Sequence, residues 1–196
     1  MSPRPRKASD EEVFAAAHRV MQRVGPAELT LGRIAAEAGV TAGALVQRFG
    51  SRRGLMLALM AEFSSSAPAF FARIRAAHPS PLQALRAYAA CHAQMAESPQ
   101  TLAHHLSYLQ VDLTDPDFHA HMRTQAAATR DELRRLVAEA VAAGELIAET
   151  DVDVLARAVL AALNGALFVW AMLREGTAAE SVRADLDAVL RPYLPR

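Results

Sequence analysis

The stretch from Arg33 to Phe49, RIAAEAGVTAGALVQRF, is helix-forming on both sides of Gly39. A glycine inside a helix costs about 1 kcal/mol relative to alanine, so it divides the stretch. Two short helices follow, 31–38 and 42–49, with a corner between them. Gly39 tolerates the left-handed backbone that closes the first helix. Thr30 and Thr41 stand where a side-chain oxygen caps the free amides of each helix. Ile34, Ala35, Ala38, Val40, Leu45 and Phe49 then share one apolar face, and the small alanines let the helices cross closely. The second helix turns Thr41, Ala42, Ala44, Gln47 and Arg48 outward. Its size and outer face suit the major groove of duplex DNA.

Everything periodic elsewhere has the helical period. Before the corner, Val13, Ala16, Ala17, Val20 and Val24 recur at three- and four-residue steps. Ser9 or Asp10 caps that helix, the acids Asp10, Glu11 and Glu12 suit its positive end, and Gly25-Pro26 stops it. Residues 1–8, with two prolines and three basic residues, read as a disordered arm. After the corner, helices are expected over 52–77, with Pro68 bending or splitting the segment, then 81–97, 99–110 and 116–143. Two more run from a cap at Thr150 or Asp151 to near Gly176, and over 178–190. No strand-like alternation appears. The expectation is an all-α chain of about nine helices, with a helix-turn-helix head over 9–53 and a larger helical body over 54–196.

Hydrophobic residues make up 52% of the 196, ample for a core. One cysteine, Cys91, excludes an internal disulfide framework and a multi-cysteine zinc site, and fits a reducing cytoplasm. No apolar run follows the basic N-terminus, so no signal peptide is read. The most apolar stretch, 156–173, is short for a membrane span and reads as a buried helix. The net charge of zero hides an asymmetry. Residues 1–53 hold nine Arg and Lys against five Asp and Glu, and the remainder holds twelve against sixteen. A basic head on an acidic body points to a polyanionic partner for the head.

These features carry a family resemblance. Val13-Phe14, Ala16-Ala17, Val20-Met21, Gly25, Thr30, Ile34-Ala35, Ala38-Gly39-Val40-Thr41, Gly43, Leu45, Phe49, Ser51, Arg52 and Leu55 resemble, in type and joint spacing, the DNA-binding head of the TetR family of transcriptional regulators. The body resembles the family in helix count and in the Asn164-Gly165 helix near the end. The resemblance implies a ligand-responsive regulator, commonly a repressor. It would bind a palindromic operator as a homodimer and be released by a small hydrophobic molecule. Ala42, Gly43, Ala44, Gln47 and Arg48 are implied to face the groove. Arg52, in place of the usual lysine, and Thr30 are implied to hold phosphates. Val46 stands where the family usually has a tyrosine that contacts the DNA backbone. Valine cannot donate that bond, and Arg48 and Arg53 are the candidates to compensate. By chemistry, Gln47 suits adenine, Arg48 suits guanine, and Thr41 and Ala44 suit thymine methyls. Arg33, Arg52 and Arg53 would add salt-sensitive, sequence-independent affinity.

One short recognition helix reads few base pairs, so two copies about a two-fold axis are expected. The last two helices are the candidates for pairing: Leu155, Ala158, Ala162, Gly165, Ala166 and Val169 on one, Val182, Leu186 and Val189 on the other. The resemblance implies a four-helix interface from these helices of both subunits. An effector pocket is expected among Phe71, Tyr88, Met95, His105, Tyr108, Leu109, Met122, Gln125 and Trp170, which mix apolar bulk with a few polar tips. By resemblance, ligand among these middle helices would push the fourth helix and respace the two heads.

Two other readings remain at this point. His78, His92, His104, His105, His119 and His121 invite a metal-responsive regulator, although no HExxH or paired-cysteine spacing accompanies them. A non-catalytic helical adaptor is the other. Ser64-Ser65-Ser66 has no evident base, Cys91 and His92 are adjacent, and no glycine-rich phosphate loop occurs, so neither enzyme nor cofactor is expected.

Overall fold

The computed structural model describes residues 8–195. Among these, regular structure is entirely helical. The helices are α1 (Asp10–Arg23), α2 (Leu31–Ala38), α3 (Ala42–Phe49), α4 (Arg52–Ala77), α5 (Pro81–Ala93), α6 (Pro99–Thr114), α7 (Pro116–Ala142), α8 (Val152–Leu173) and α9 (Ala178–Leu190). Short 3-10 turns cover Gln94–Ala96 and Arg191–Tyr193. Several helices begin at a side-chain oxygen. Ser9 and Glu12 form a capping box on α1, and Thr30, Thr41, Ser80 and Asp151 each accept an amide of the first turn they precede. Thr177 and Glu180 repeat the capping box on α9. Each such cap satisfies amides that have no intrahelical acceptor.

Three elements differ from expectation. Of the two expectations for Pro68, bending or splitting, the split does not occur: α4 runs unbroken over 26 residues with Pro68 inside it, and the helix forgoes one amide bond there. α5 stops at Ala93 and tightens into the 3-10 turn, short of Glu97. α6 continues past Gln110 to Thr114, whose hydroxyl bonds back to the Gln110 carbonyl at 2.9 Å.

The chain divides into two compact units. The first takes residues up to Ser64 together with Ala103–Met122, and the second takes Ser65–Leu102 and 123 onward. A boundary at 53/54 thus falls inside α4, and the unit bearing the helix-turn-helix also includes parts of α4, α6 and α7. Of the expected arm, residues 1–7 lie outside the described residues. Ala8 is buried and belongs to the core of the first unit, not to an arm.

In the first unit, Val13, Ala17, Val20 and Met21 of α1 pack with Ile34 and Ala35 of α2, Leu45 of α3, Leu55, Met56 and Leu59 of α4, Tyr108 and Phe118. In the second, α8 packs along α9, and both pack against α5. Leu155, Val159, Leu163, Leu167 and Trp170 face inward from α8, as do Val182, Leu186 and Leu190 from α9. The expectation that 156–173 is a buried helix too short to span a membrane needs correction. By length and composition alone, α8 and α4 are both long and apolar enough to cross one, and α8 is buried on one face only.

Candidate nucleic-acid interface

α2 is fixed to α1 by a shared carboxylate as well as by apolar packing. Glu37 accepts Arg19 Nε at 2.7 Å and Arg23 Nη2 at 2.5 Å, and both guanidiniums hold its carboxyl below the usual range. Gly39 then adopts φ 69° and ψ 30°, the left-handed cap, and its amide and that of Val40 return to carbonyls of α2. Thr41 Oγ1 accepts the Ala44 amide at 3.2 Å, and α3 starts. Leu45 is the one fully buried side chain of α3, at 1% exposure, with Phe49 half-buried beside it. Thr41, Ala42, Gly43, Ala44, Val46, Gln47 and Arg48 are exposed. A close approach ends the motif: a Cβ on Gly54 would lie 2.1 Å from the Phe49 carbonyl oxygen, so the turn into α4 requires glycine there.

The arginines behave differently from a simple basic face. Arg48 is not left open for guanine. Its Nη1 donates to the Ala8 carbonyl at 2.7 Å, its Nη2 pairs with Asp10 at 2.5 Å, and its guanidinium lies 5.5 Å from the centre of the Phe49 ring. A bidentate contact to guanine needs both terminal nitrogens, so Arg48 would first have to leave this strap. Arg52 donates Nη1 to the Pro26 and Leu29 carbonyls at 2.9 and 3.0 Å, anchoring the loop before α2. Arg53 cannot compensate for Val46 as it stands. It is held by Asp115 and Asp117 at 2.9 and 2.8 Å, over the Phe118 ring, and the pairing lowers the Asp115 carboxyl and raises the Arg53 guanidinium. Arg33, on the outer side of α2 near Thr30, pairs with Glu28 at 3.1 Å. Val46 is itself 48% exposed, an apolar patch at the position expected to meet backbone.

The charge asymmetry read from residues 1–53 is therefore compensated. With Glu62, Asp112, Asp115 and Asp117 included, the first unit holds nine Arg and Lys against nine Asp and Glu. Asp10, Glu37, Asp115 and Asp117 are the partners that sequence reasoning missed. The sequence assigns Asp10 only to the cap or the positive end of α1, and nothing local ties the other three to arginines 14 to 64 residues away.

The nine residues expected to line an effector pocket are divided between the two units. His105, Tyr108, Leu109 and Met122 belong to the first unit, and Phe71, Tyr88, Met95, Gln125 and Trp170 to the second. Tyr108 Oη donates to the Val24 carbonyl at 3.1 Å, closing the end of α1. His105 stacks on His18 with centroids 6.4 Å apart. Trp170 Nε1 donates to the Gly176 carbonyl at 3.1 Å and closes the α8–α9 turn. Met95 and Leu109 are exposed. Within the second unit, Phe71 stacks on Tyr88 at 4.6 Å, Phe70 meets both edge-on, and His92 tilts against Tyr88 at 6.2 Å. Burial raises the Tyr88 phenol to about 12 and lowers the His92 imidazole.

The pairing helices also need correction. Leu155, Ala166, Val182 and Leu186 expose 1% or less and have no surface to give a partner; they are core of the chain itself. Val189 is half-buried. Ala158, Ala162, Gly165 and Val169 do reach the surface, on the side of α8 that also exposes Val154, Phe168, Met172 and Leu173. Val154 and Leu173 were missed, although their helical spacing from Ala158 and Val169 carries the signal. Among the described residues, no three His, Cys, Asp or Glu side chains gather in a group that could hold a metal ion.

Residues 13–59 match the profile described as "Bacterial regulatory proteins, tetR family", and residues 107–186 match "Tetracyclin repressor-like, C-terminal domain". Among solved structures, the fold is similar to a TetR transcription regulator from Haloarcula marismortui ATCC 43049, with TM-score 0.76 and 19% identity over 95% of this chain and 98% of that one. It is also similar to SmeT, the repressor of the Stenotrophomonas maltophilia multidrug efflux pump SmeDEF, with TM-score 0.66 and 21% identity over 96% and 92%. A complex of SmeT with triclosan gives TM-score 0.68 and 21% identity over 95% and 91%. At these identities the likeness shows the fold. No curated protein matches the chain.

Proposed function

The chain belongs to the tetR family of bacterial regulatory proteins, and we propose that it is a homodimeric repressor that reads a palindromic operator through α3 and leaves it when a small apolar molecule binds. The observation that carries this reading is the outer face of α3. Only Leu45 and Phe49 turn toward the core, and Thr41, Ala42, Gly43, Ala44 and Gln47 stand exposed in sequence along one short helix. Gln47 is assigned to base edges, with Thr41 and Ala44 to thymine methyls. Thr30, Arg33 and Arg52 are assigned to phosphates. Arg52 spends one nitrogen on the loop before α2, and its remaining donors suit a phosphate. Two such helices about a two-fold axis match two half-sites one turn of DNA apart.

The exposed side of α8 is assigned to the dimer contact, with Ala158, Ala162, Gly165 and Val169 at its centre. A contiguous apolar strip of this kind on a soluble chain marks an association surface. The aromatic group around Phe71 and Tyr88 is assigned to the effector, in keeping with the triclosan complex of SmeT. The site of action would be the cytoplasm, where the operator lies.

Selection of bound duplexes from a random pool, followed by titration of the selected and a scrambled duplex at several salt concentrations, tests the reading. Gln47→Ala is expected to weaken the selected duplex by about 1–3 kcal/mol and leave the scrambled one unchanged. Equal losses on both would remove Gln47 from readout. Failure to enrich any sequence would remove the operator-binding reading itself.

A further inference from the structure

The first unit contains a cavity of about 230 Å3, and of its lining residues only Arg52 has a role assigned above. Leu29, Met56, Tyr108 and Phe118 supply its apolar wall, and Arg52, Arg53, Asp112 and Asp115 supply its charges. Two of those four charges are paired with each other, Arg53 with Asp115. Arg52 gives one nitrogen to two backbone carbonyls and keeps its charge. Asp112 alone has no hydrogen-bond or ion-pair partner among the described residues. It is half-buried, and burial alone raises its carboxyl above the ordinary value. A half-buried carboxylate without a partner leaves a desolvated charge uncompensated, and a ligand that supplies the opposite charge recovers that loss.

We propose that this cavity binds a small organic cation, an ammonium group on an apolar body about the size of one aromatic ring, with Asp112 as its counter-ion. The volume lies below the roughly 300–1,000 Å3 of drug-sized pockets, which sets the size of the body. The Tyr108 ring offers an aromatic surface to a cation, while its hydroxyl is already spent on the Val24 carbonyl. The Phe118 ring is already covered by the Arg53 guanidinium, so Asp112 and Tyr108 are left to receive the ammonium. The cavity lies wholly within the unit that carries α3 and shares no residue with the aromatic group around Phe71 and Tyr88. The site is thus separate from the effector site proposed above and does not rest on it.

The test uses the full chain with 13C-methyl-labelled methionine and no DNA, so a negative result here leaves the operator reading standing. Met56→Leu identifies the Met56 methyl resonance. Three probes of one shape are titrated: 2-phenylethylammonium, neutral 2-phenylethanol and anionic 3-phenylpropionate. The expected result is a saturable shift of the Met56 methyl with the ammonium, about tenfold tighter than with the alcohol, the scale of one charge-assisted contact. Asp112→Asn is expected to reduce the ammonium to the affinity of the alcohol without moving the Met21 methyl. No saturable shift at Met56, equal affinity for ammonium and alcohol, or preference for 3-phenylpropionate (an anion on Arg52) would each overturn the proposal. The comparison of probes on the unsubstituted protein decides the matter even if Asp112→Asn perturbs folding.

Discussion

Gly39→Ala separates the backbone argument for the corner from every packing argument. A Cβ added at Gly39 meets nothing within 4 Å, so no clash contributes. What remains is conformation: φ is 69°, and a residue with a Cβ in that region loses about 1–2 kcal/mol. Against this, alanine restricts the unfolded chain more than glycine does and returns about 0.4–1 kcal/mol. The net loss is about 1 kcal/mol, or about fivefold in the opening equilibrium of the segment. Gly25→Ala is the matched control. Its Cβ also meets nothing within 4 Å, but its φ is not positive, so only the gain through the unfolded state applies. Gly39→Asn should lose less than alanine, because asparagine tolerates the left-handed region. Trp170, the single tryptophan, lies in the second unit and would miss the effect. Hydrogen exchange followed by mass spectrometry on peptides of α2 and α3 reads it directly. The expected result is about fivefold faster exchange there for Gly39→Ala, unchanged or slower exchange for Gly25→Ala, and no change in α8 or α9. The left-handed corner is refuted if Gly39→Ala is as silent as Gly25→Ala, or if asparagine at this position loses as much as alanine.

Asp10→Asn releases Arg48 Nη2 from its carboxylate. The pair is exposed, so stability should change by less than about 1 kcal/mol, while the log–log salt dependence of DNA binding should steepen by about one ion if the freed guanidinium reaches phosphate or base. An unchanged slope would make Arg48 a strap for the chain around Ala8 and nothing more. Phe168→Glu places a charge in the exposed face of α8. Losing burial of this ring removes about 1.5–3 kcal/mol per copy, and twice that in a two-fold contact. Sedimentation should find monomer at micromolar concentration, and a dimer of undiminished stability would move the pairing surface elsewhere.

What was legible in the sequence was local. The capping oxygens of Ser9, Thr30 and Thr41, the corner at Gly39 and the helical period of α1 are settled by residues within four positions of each other. The surface of α8 was not, because apolar residues occur nearly all round it. Ala166 and Val169 look alike as interface candidates, and only the approach of α9 decides that one is core and the other exposed. The partners of the polar tips on buried aromatics were not legible either. The sequence shows that such a tip needs a partner but not which one. Ligand and chain compete for it, and helix ends give the chain an advantage. The last carbonyls of a helix have no intrahelical donor, so a nearby phenol, indole or guanidinium finds an acceptor there. Tyr108 meets Val24 at the end of α1, His104 Nδ1 lies 3.0 Å from the Gln22 carbonyl in its last turn, Trp170 meets Gly176 beyond α8, and Arg52 meets Pro26 and Leu29 in the loop after α1. Tyr108 and Trp170, expected to orient an effector, give their polar tips to chain carbonyls, Tyr108 at the end of α1 and Trp170 in the loop after α8. In an all-helical chain, then, a buried tip within reach of a helix end is weak evidence for a ligand, and a half-buried charge that forms no hydrogen bond or ion pair, as at Asp112, is the stronger kind.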